Sequence, residues 1–591
     1  MTDEGRFALF DGDDGSALLL SDWRRTLCFD GSGDPAALFE AIEAAAAADE
    51  WVALAADYEL GASFEPALAI GRPRQPLLQA WVYGRGERLD ASAVAAFLAA
   101  RLAEIPEHEK VAGVADLSPA LDAQTYAVAV ARIHRWITAG DCYQINFTFP
   151  LDGRLYGHPL TLYARLRERQ PVRYGAFVAT PEATLLSLSP ELFFERRGDR
   201  LLARPMKGTA ARGATRQEDE RNRDGLLASE KERAENVMIV DLLRNDLGRL
   251  AAPGKVKVEA LCEAEAYPTL WQMVSTISAE VPGARLIDLF RALFPCGSIT
   301  GAPKIRAMQC IAELEPRPRG IYTGALGWVA PGGDCRFNVA IRTLEVKKDR
   351  QLSLGVGSAI VIDADPSREY AECLLKASFL TGFDPGFELI ETLRLEAGEY
   401  PLLERHLARL ESSAQALGFA CDRLKVAAAL AAEAARCVTG TRRVRLTLAH
   451  DGACRIASAP FLVAGCVWRV VLAGERLDAG DYLLRHKTTA RSRYDRVLAA
   501  LAGQPEVFDA IFLNTRGEVC EGARSNIFVE RGGMLLTPPL ACGLLPGVMR
   551  QSLLDAGRAV ECVLTKADLL GATALYAANA LRGLLEVTLE I

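Results

Sequence analysis

Lys207 stands in Arg204-Pro205-Met206-Lys207-Gly208-Thr209, between the apolar run Leu201-Leu202-Ala203 and a Gly-Thr turn. Desolvation disfavours an ammonium, so a Lys tucked into an apolar strand end can become a nucleophile. The plain alternative is a solvated turn residue. Glu191, in Ser187-Leu188-Ser189-Pro190-Glu191, lies sixteen residues upstream. Two antiparallel strands joined by a turn at Gly198 would bring Glu191 and Lys207 together as an acid and a nucleophile. Two glutamate pairs, Glu232/Glu235 and Glu369/Glu372, have the three-residue spacing that shares one helix face. If the two helices face one another, these oxygens suit Mg²⁺, a hard cation that prefers carboxylates; otherwise each pair is a solvated helix face. Arg342 offers a carboxylate a bidentate grip and the Tyr322 hydroxyl a further donor. Gly-rich turns around Ser298 and at Gly355-Val356-Gly357 would let backbone N–H groups approach an anion.

The elements needed to position these residues are legible in the periodicity. Helices are predicted over Ala123–Ala139, Glu230–Leu247, the stretch from Glu369 to about Phe379, and Leu402–Leu417. Strands are predicted over Leu192–Arg196, over Asn338–Glu345 with Arg342 inside it, and over Phe387–Leu395. Asp141-Cys142-Tyr143-Gln144-Ile145-Asn146 enters another alternating strand, and Leu380-Thr381-Gly382-Phe383-Asp384-Pro385-Gly386 reads as a seam.

Length and composition bound the rest. A chain of 591 residues exceeds one ordinary domain, and its hydrophobic half supplies large cores. A formal charge of −8 without Lys/Arg clusters argues against a nucleic-acid surface. No apolar run reaches the roughly 18 residues of a membrane span. Met1-Thr2-Asp3-Glu4-Gly5 lacks the features of a signal peptide. Fourteen Cys without a Cys-x-x-Cys pair, and only six His, imply a reduced, cytoplasmic protein with neither disulfide framework nor zinc site.

Taken in order, Asp141–Asn146, Ser189-Pro190-Glu191, Pro205-Met206-Lys207-Gly208-Thr209, Asp241-x-x-Arg244-Asn245-Asp246, Gly301-Ala302-Pro303-Lys304 and Gly355-x-Gly357 resemble the chorismate-utilising enzymes over about residues 115–380. The resemblance implies an α+β fold, a two-sheet antiparallel sandwich with outer helices. It implies Mg²⁺ held at Glu232, Glu235, Glu369 and Glu372, with Glu235 and Glu372 as direct ligands. It also implies chorismate held by Tyr322, Arg342, Lys376, Ser298 and the Gly355–Gly357 backbone, with Glu191 as the general acid at the C4 hydroxyl. Gln144 stands where water-adding members carry a Lys base. Lys207 matches the aminodeoxychorismate synthases, in which the Lys amine attacks C2 before ammonia enters at C4; anthranilate synthases have Ala there. Gln272 departs from a His found in several members.

A second resemblance, over about 384–591, is to the fold-type IV pyridoxal-phosphate enzymes. It rests on His406-x-x-Arg409-Leu410, Arg485-His486-Lys487-Thr488-Thr489, Glu521-Gly522-x-x-Ser525-Asn526 and Gly543-Leu544-Leu545-Pro546-Gly547-Val548. By composition Arg485–Thr489 is only a basic turn. The resemblance implies an α/β domain with Lys487 as the Schiff-base lysine and Glu521 at the pyridinium nitrogen. It places the cofactor phosphate at Arg409, Gly547 and Val548, with a contact from Asn579. The family's usual first strand is not visible.

Together these imply an aminodeoxychorismate synthase-like domain over 1–382 and an aminodeoxychorismate lyase-like domain over 383–591. The joint expectation is 4-aminobenzoate synthesis for folate from chorismate and ammonia. None of the Cys contexts is a Gly-x-Cys-x-Gly nucleophile turn, so ammonia is expected from a separate glutamine amidotransferase subunit. Resemblance to fold-type IV enzymes also implies a homodimer through the second domain. Two alternatives stay open: an anthranilate synthase component fused to an aminotransferase-like domain, and a non-catalytic scaffold or amino-acid sensor.

Overall fold

The computed structural model describes residues 6–68, 76–267, 270–461 and 468–590, so the N-terminal pentapeptide read above lies outside the described residues. The chain divides into two compact units. One comprises Met1–Ile105, Ser118–Leu155 and Pro159–Phe383. The other comprises Asp384–Ile591 together with two earlier segments, Pro106–Leu117 and Tyr156–His158.

The first unit is mixed α+β with antiparallel strand pairing. The strand Leu192–Arg197, which begins just after Glu191, lies between Arg200–Arg204 and Cys335–Val339. Its apolar face carries Phe193 and Phe194, which pack with Phe290, Phe294 and Phe337 at ring separations of 4.8 to 6.4 Å. These aromatic contacts fix the strand that directly follows the acid. Met206–Ala211 pairs with Leu270–Glu280, but the register slips between Met206↔Val274 and Thr209↔Gln272. Lys207 and Gly208 therefore form a two-against-one bulge, a device that re-aims a side chain. Gly208 has φ +84°, a conformation that favours glycine.

Helix Glu230–Gly248 has its N-terminus capped by Ser229, and the hydroxyl accepts from the Glu232 N–H at 3.3 Å. It is tied to helix Lys304–Leu314 by Lys304 Nζ, which donates to Asp246 Oδ2 at 2.5 Å. The Asp241–Asp246 and Gly301–Lys304 motifs thus meet as a partly buried brace. Helix Pro366–Lys376 begins at the Asp365 cap and carries the second glutamate pair.

Two predictions are corrected. Arg342 is not inside a strand: Cys335–Val339 ends before it, Thr343–Lys347 begins after it, and Arg342 itself has φ +49°. Gly355 and Gly357 are not in a turn. They lie within the strand Gln351–Ile360, paired to Pro150 and Thr148.

The second unit has a three-stranded antiparallel sheet, Leu389–Glu396, Thr441–Leu448 and Cys454–Pro460. Leu393, Leu395, Val444 and Leu446 form one apolar face of it, packed with Leu407, Leu410, Ala414 and Leu417 of helix Leu403–Leu417. Ala115 and Tyr156 join the same core. An eight-stranded sheet completes the unit, with Trp468–Leu477 parallel to both Val507–Asn514 and Gly583–Glu590. Among the described residues no helix is long and apolar enough to cross a membrane.

Candidate active site

In the first unit, Glu191 is buried, 5% exposed, and its Oε1 accepts a hydrogen bond from Ser298 Oγ at 2.8 Å. Burial pushes its carboxyl up to about 7, against the opposing pull of the Ser298 bond and the Lys207 charge. Cys296 Sγ lies 3.2 Å from the same Ser298 hydroxyl. Lys207 is half-buried, and its charge acts on both Glu191 and Glu232. The apolar socket expected for this Lys is absent, since Met206, Lys207 and Gly208 are all half-buried and carboxylates supply its charged neighbours. Gln272 secures the bulge: its Nε2 donates to the Gly208 carbonyl at 2.7 Å, and its Oε1 lies 3.2 Å from Thr209 Oγ1.

A cavity of about 320 Å³ opens beside these residues, lined by Pro190, Tyr267, Gln272, Arg342, Lys376 and Arg169 among others. Glu191, Lys207, Ser298 and Tyr322 are not part of its wall; Pro190 and Gln272 link it to the first two. Arg342 makes no side-chain hydrogen bond or ion pair among the described residues. Burial lowers its pKa, with Tyr267 as the only opposing influence. A desolvated guanidinium lining a cavity without a carboxylate partner is an anion-binding group. Lys376, by contrast, is engaged, with Nζ donating to the Gly357 carbonyl at 2.8 Å and pairing with Glu372 at 2.9 Å. Gly355 serves packing: a Cβ there would sit 2.0 Å from the Tyr322 ring. Tyr322 is raised in pKa by burial, opposed by the Arg319 charge, so it stays a neutral donor. Gln144 is buried at 2% exposure on the strand Gln144–Tyr156.

The glutamate pairs do interact across the two helices. Glu232 is raised by burial and by the charges of Glu235 and Glu372, and Glu369 by burial and Glu372. Among the described residues, however, no three metal-binding side chains gather into a closed site. Glu372 is held by Lys376, and Glu235 lies 4.0 Å from Lys231. The donors are of the type that fits a hard cation, and like-charge repulsion across the helices is what such a cation would relieve.

In the second unit a cavity of about 740 Å³ contains Lys487, Glu521, Arg409, Gly547, Val548 and Asn579 in its lining. Burial, and then the charges of Arg409 and Arg491, bring the Lys487 amine down to about 8. Glu521 is buried and pushed up to about 7; it accepts from the Tyr494 hydroxyl at 2.7 Å and from the Leu545 N–H at 3.0 Å. Arg409 is gripped bidentately by Glu391, at 2.8 and 2.6 Å, and its Nη1 donates to the Pro546 carbonyl at 3.2 Å. His406 Nδ1 donates to the same carboxylate at 2.7 Å. Burial alone would raise Glu391, but Arg409 and His406 hold it at about 2. Gly547 caps helix Val548–Asp555, whose N-terminus points at the cavity wall with Arg409 near it. Asn579 is engaged in the loop that joins the last two strands: its Nδ2 donates to the Arg524 carbonyl at 3.2 Å and its Oδ1 accepts from the Arg582 N–H at 2.9 Å.

Sequence reasoning missed Tyr494 and Glu391. The signal for Tyr494 is its place in the first turn of helix Ser492–Ala500, seven residues after Lys487. The signal for Glu391 is an acid on the apolar face of Leu389–Glu396, opposite a helix carrying His406 and Arg409 at three-residue spacing. Glu107, His108 and Val111 also line this cavity, which no reading of 384–591 alone would suggest.

Residues 32–382 match the family described as chorismate binding enzyme. The chain belongs to that family. Residues 388–589 match amino-transferase class IV. Among relatives of this chorismate binding enzyme, aminodeoxychorismate synthase component 1 of Bacillus subtilis (strain 168) is 42% identical over 253 residues, 43% of this chain and 54% of that protein. Anthranilate synthase component 1 of Thermus thermophilus is 39% identical over 273 residues, 46% of this chain and 59% of that protein. The chain thus spans little more than half the length of these relatives. The crystal structure of anthranilate synthase component I from Streptococcus pneumoniae TIGR4 superposes with TM-score 0.54 at 22% identity, covering 62% of this chain and 92% of that one, and shows the shared fold.

Proposed function

We propose that the chain makes 4-aminobenzoate in two steps, aminating chorismate at C4 in residues 1–382 and eliminating pyruvate from the product in residues 383–591. The observation that carries the first half is the buried Glu191 acid lying within reach of the Lys207 charge, in the same unit as the unpaired Arg342 guanidinium. Arg342 holds a chorismate carboxylate. The Lys207 amine forms a bond to C2 as the C4–O bond breaks, and Glu191 gives its proton to the departing hydroxyl, releasing water. Ammonia then bonds to C4 as the C2–N bond to Lys207 breaks, so the lysine is regenerated. Ser298 orients the acid, and the Gln272 bond to Gly208 holds the bulge that presents the amine. Glu232, Glu235, Glu369 and Glu372 would hold Mg²⁺, whose charge would offset the carboxylates of the substrate and of the site. Ammonia comes from a separate glutamine amidotransferase.

In the second half, pyridoxal phosphate supplies an electron sink when bound. Lys487 would hold it, and the same amine, brought down to about 8, would move the proton at C4 of the amino substrate. Glu521, fixed by Tyr494 and Leu545, would hold the ring nitrogen, and Arg409 with the Gly547–Val548 helix start would hold the phosphate.

The test is incubation of the protein with chorismate, Mg²⁺, ammonium and pyridoxal phosphate, with products resolved by chromatography. 4-Aminobenzoate and pyruvate are expected. Accumulated aminodeoxychorismate would support the first half alone. Anthranilate would instead favour the second reading, a synthase aminating C2, which the similarity to the Thermus enzyme keeps in view and Lys207 opposes.

A further inference from the structure

The three-stranded sheet of the second unit has two faces of opposite character. Leu393, Leu395, Val444 and Leu446 enter the core. The alternate residues Thr392, Arg443 and Ala459 line the 740 Å³ cavity. Arg443 lies directly opposite Ala459 on one neighbouring strand and opposite Arg394 on the other. The alanine leaves space over the strand for the guanidinium. Arg394 is itself paired with Glu396 at 2.9 Å, which leaves Arg443 as the arginine of this cross-strand pair without a carboxylate among the described residues.

The other five arginines in the cavity wall are engaged: Arg409 by Glu391, Arg491 by Asp495 at 3.0 Å and Arg493 by Asp481 at 3.1 Å, while Arg524 lies over the Phe508 ring at 5.3 Å and Arg582 over the Phe461 ring at 4.8 Å. Arg443 makes no ion pair or side-chain hydrogen bond among the described residues, although Glu107 is in the same wall; Glu107 pairs with Lys110 at 3.2 Å. Arg443 is thus an exposed guanidinium on the cavity wall with all its donors free, and Arg394 opposite it is held by Glu396, so an incoming carboxylate meets a bidentate donor without a competitor among the described residues.

We propose that Arg443 is the carboxylate anchor of the second cavity and sets its preference for amino substrates that carry a carboxylate remote from the amine. On the two-step function proposed above, on which the choice of substrate rests, this is a ring or enolpyruvyl carboxylate of 4-amino-4-deoxychorismate. Arg445 provides the control, since it lies on the same strand and face but outside the cavity wall.

The experiment compares the full-length, cofactor-loaded protein with Arg443→Ala, Arg443→Lys and Arg445→Ala. Two readouts are taken: the concentration dependence of 4-aminobenzoate formation from 4-amino-4-deoxychorismate, and calorimetric binding of isophthalate, an unreactive dicarboxylate. Arg443→Ala is expected to raise KM and the isophthalate Kd by about tenfold or more, the size of a lost charged hydrogen bond, with kcat within about threefold. The cofactor absorption band stays unchanged, Arg443→Lys recovers part of the loss, and Arg445→Ala matches the parent. Unchanged KM and Kd in Arg443→Ala, or equal losses in Arg445→Ala, would overturn the anchor. A parent protein that makes no 4-aminobenzoate, with isophthalate binding still dependent on Arg443, would overturn the assigned reaction and leave the anchor standing.

Discussion

The Ser298 hydroxyl donates to Glu191 Oε1 across 2.8 Å, and among the described residues this is the one side-chain hydrogen bond on a carboxyl that burial has pushed up to about 7. A general acid must carry its proton, and the protonated fraction of a group at about 7 falls as pH rises through that value. The rate of chorismate consumption, as kcat/KM, is therefore expected to decline above about pH 7. Glu191→Gln should lower it by about 10²–10⁴-fold and remove that limb of the profile. A parent profile flat from pH 6 to 9 would contradict the role.

Lys207→Ala removes the amine while leaving Glu191, Arg342 and the bulge contact of Gln272. Amination at C4 is expected to fall below detection, while chorismate still binds with similar affinity. Mass analysis of the products should then show either no amination or a C2-aminated species. Continued formation of 4-amino-4-deoxychorismate by this variant would exclude covalent participation of Lys207.

Gly355→Ala tests packing beside the substrate grip. Its Cβ would lie 2.0 Å from the Tyr322 ring, so the ring or the strand must move. A loss of about 1–3 kcal/mol in stability is expected, with a raised KM for chorismate. Denaturant unfolding and steady-state kinetics check the two effects separately.

Glu391 offers a pH signature in the second unit. Its ordinary value is 4.5 and its folded value about 2, so the stabilisation is present above about pH 4.5 and is lost as pH falls towards about 2. Glu391→Gln strips Arg409 and His406 of their shared carboxylate. About 3–5 kcal/mol of stability should be lost, as when one partner of a buried pair is removed. Pyridoxal phosphate affinity, followed by fluorescence titration, should weaken as Arg409 loses its fixed position.

Lys487→Ala should abolish the absorption band near ~410 nm that marks the bound cofactor. With chorismate, Mg²⁺ and ammonium supplied, this variant should release 4-amino-4-deoxychorismate and no pyruvate. Pyruvate release at the parent rate would place the elimination elsewhere.

Much of this architecture is written in local pattern. Helix Glu230–Gly248 ends one residue from its expected boundary, and Leu403–Leu417 starts one residue late, because their apolar spacing and caps are local properties. The charge of Lys207 acts on Glu191, and a closeness of this kind is what spacing across consecutive strands can suggest. What spacing cannot suggest is the bulge at Lys207 or the left-handed backbone of Arg342, since both arise from pairing with strands distant in sequence. Gly355-x-Gly357 reads as a turn because glycine serves both turns and close packing; the pairing to Pro150 and Thr148 and the Tyr322 ring, all distant in sequence, put it in a strand instead. Glu391 was overlooked because its partners lie on a separate helix.

The second unit also takes in Pro106–Leu117 and Tyr156–His158. Tyr156 packs against Phe387 at 6.2 Å, Tyr482 donates to Asp116 at 2.6 Å, and Glu107, His108 and Val111 reach the cavity wall. The polypeptide visits this unit twice before it settles there, so no single cut yields two whole parts. A protease nick at the Leu380–Gly386 seam should leave both fragments associated and the second cavity intact, whereas a fragment expressed from Asp384 onward would start life with part of its wall and core missing. The order of synthesis then matters as well: Asp116 must wait for Tyr482, 366 residues further on, before its partner exists.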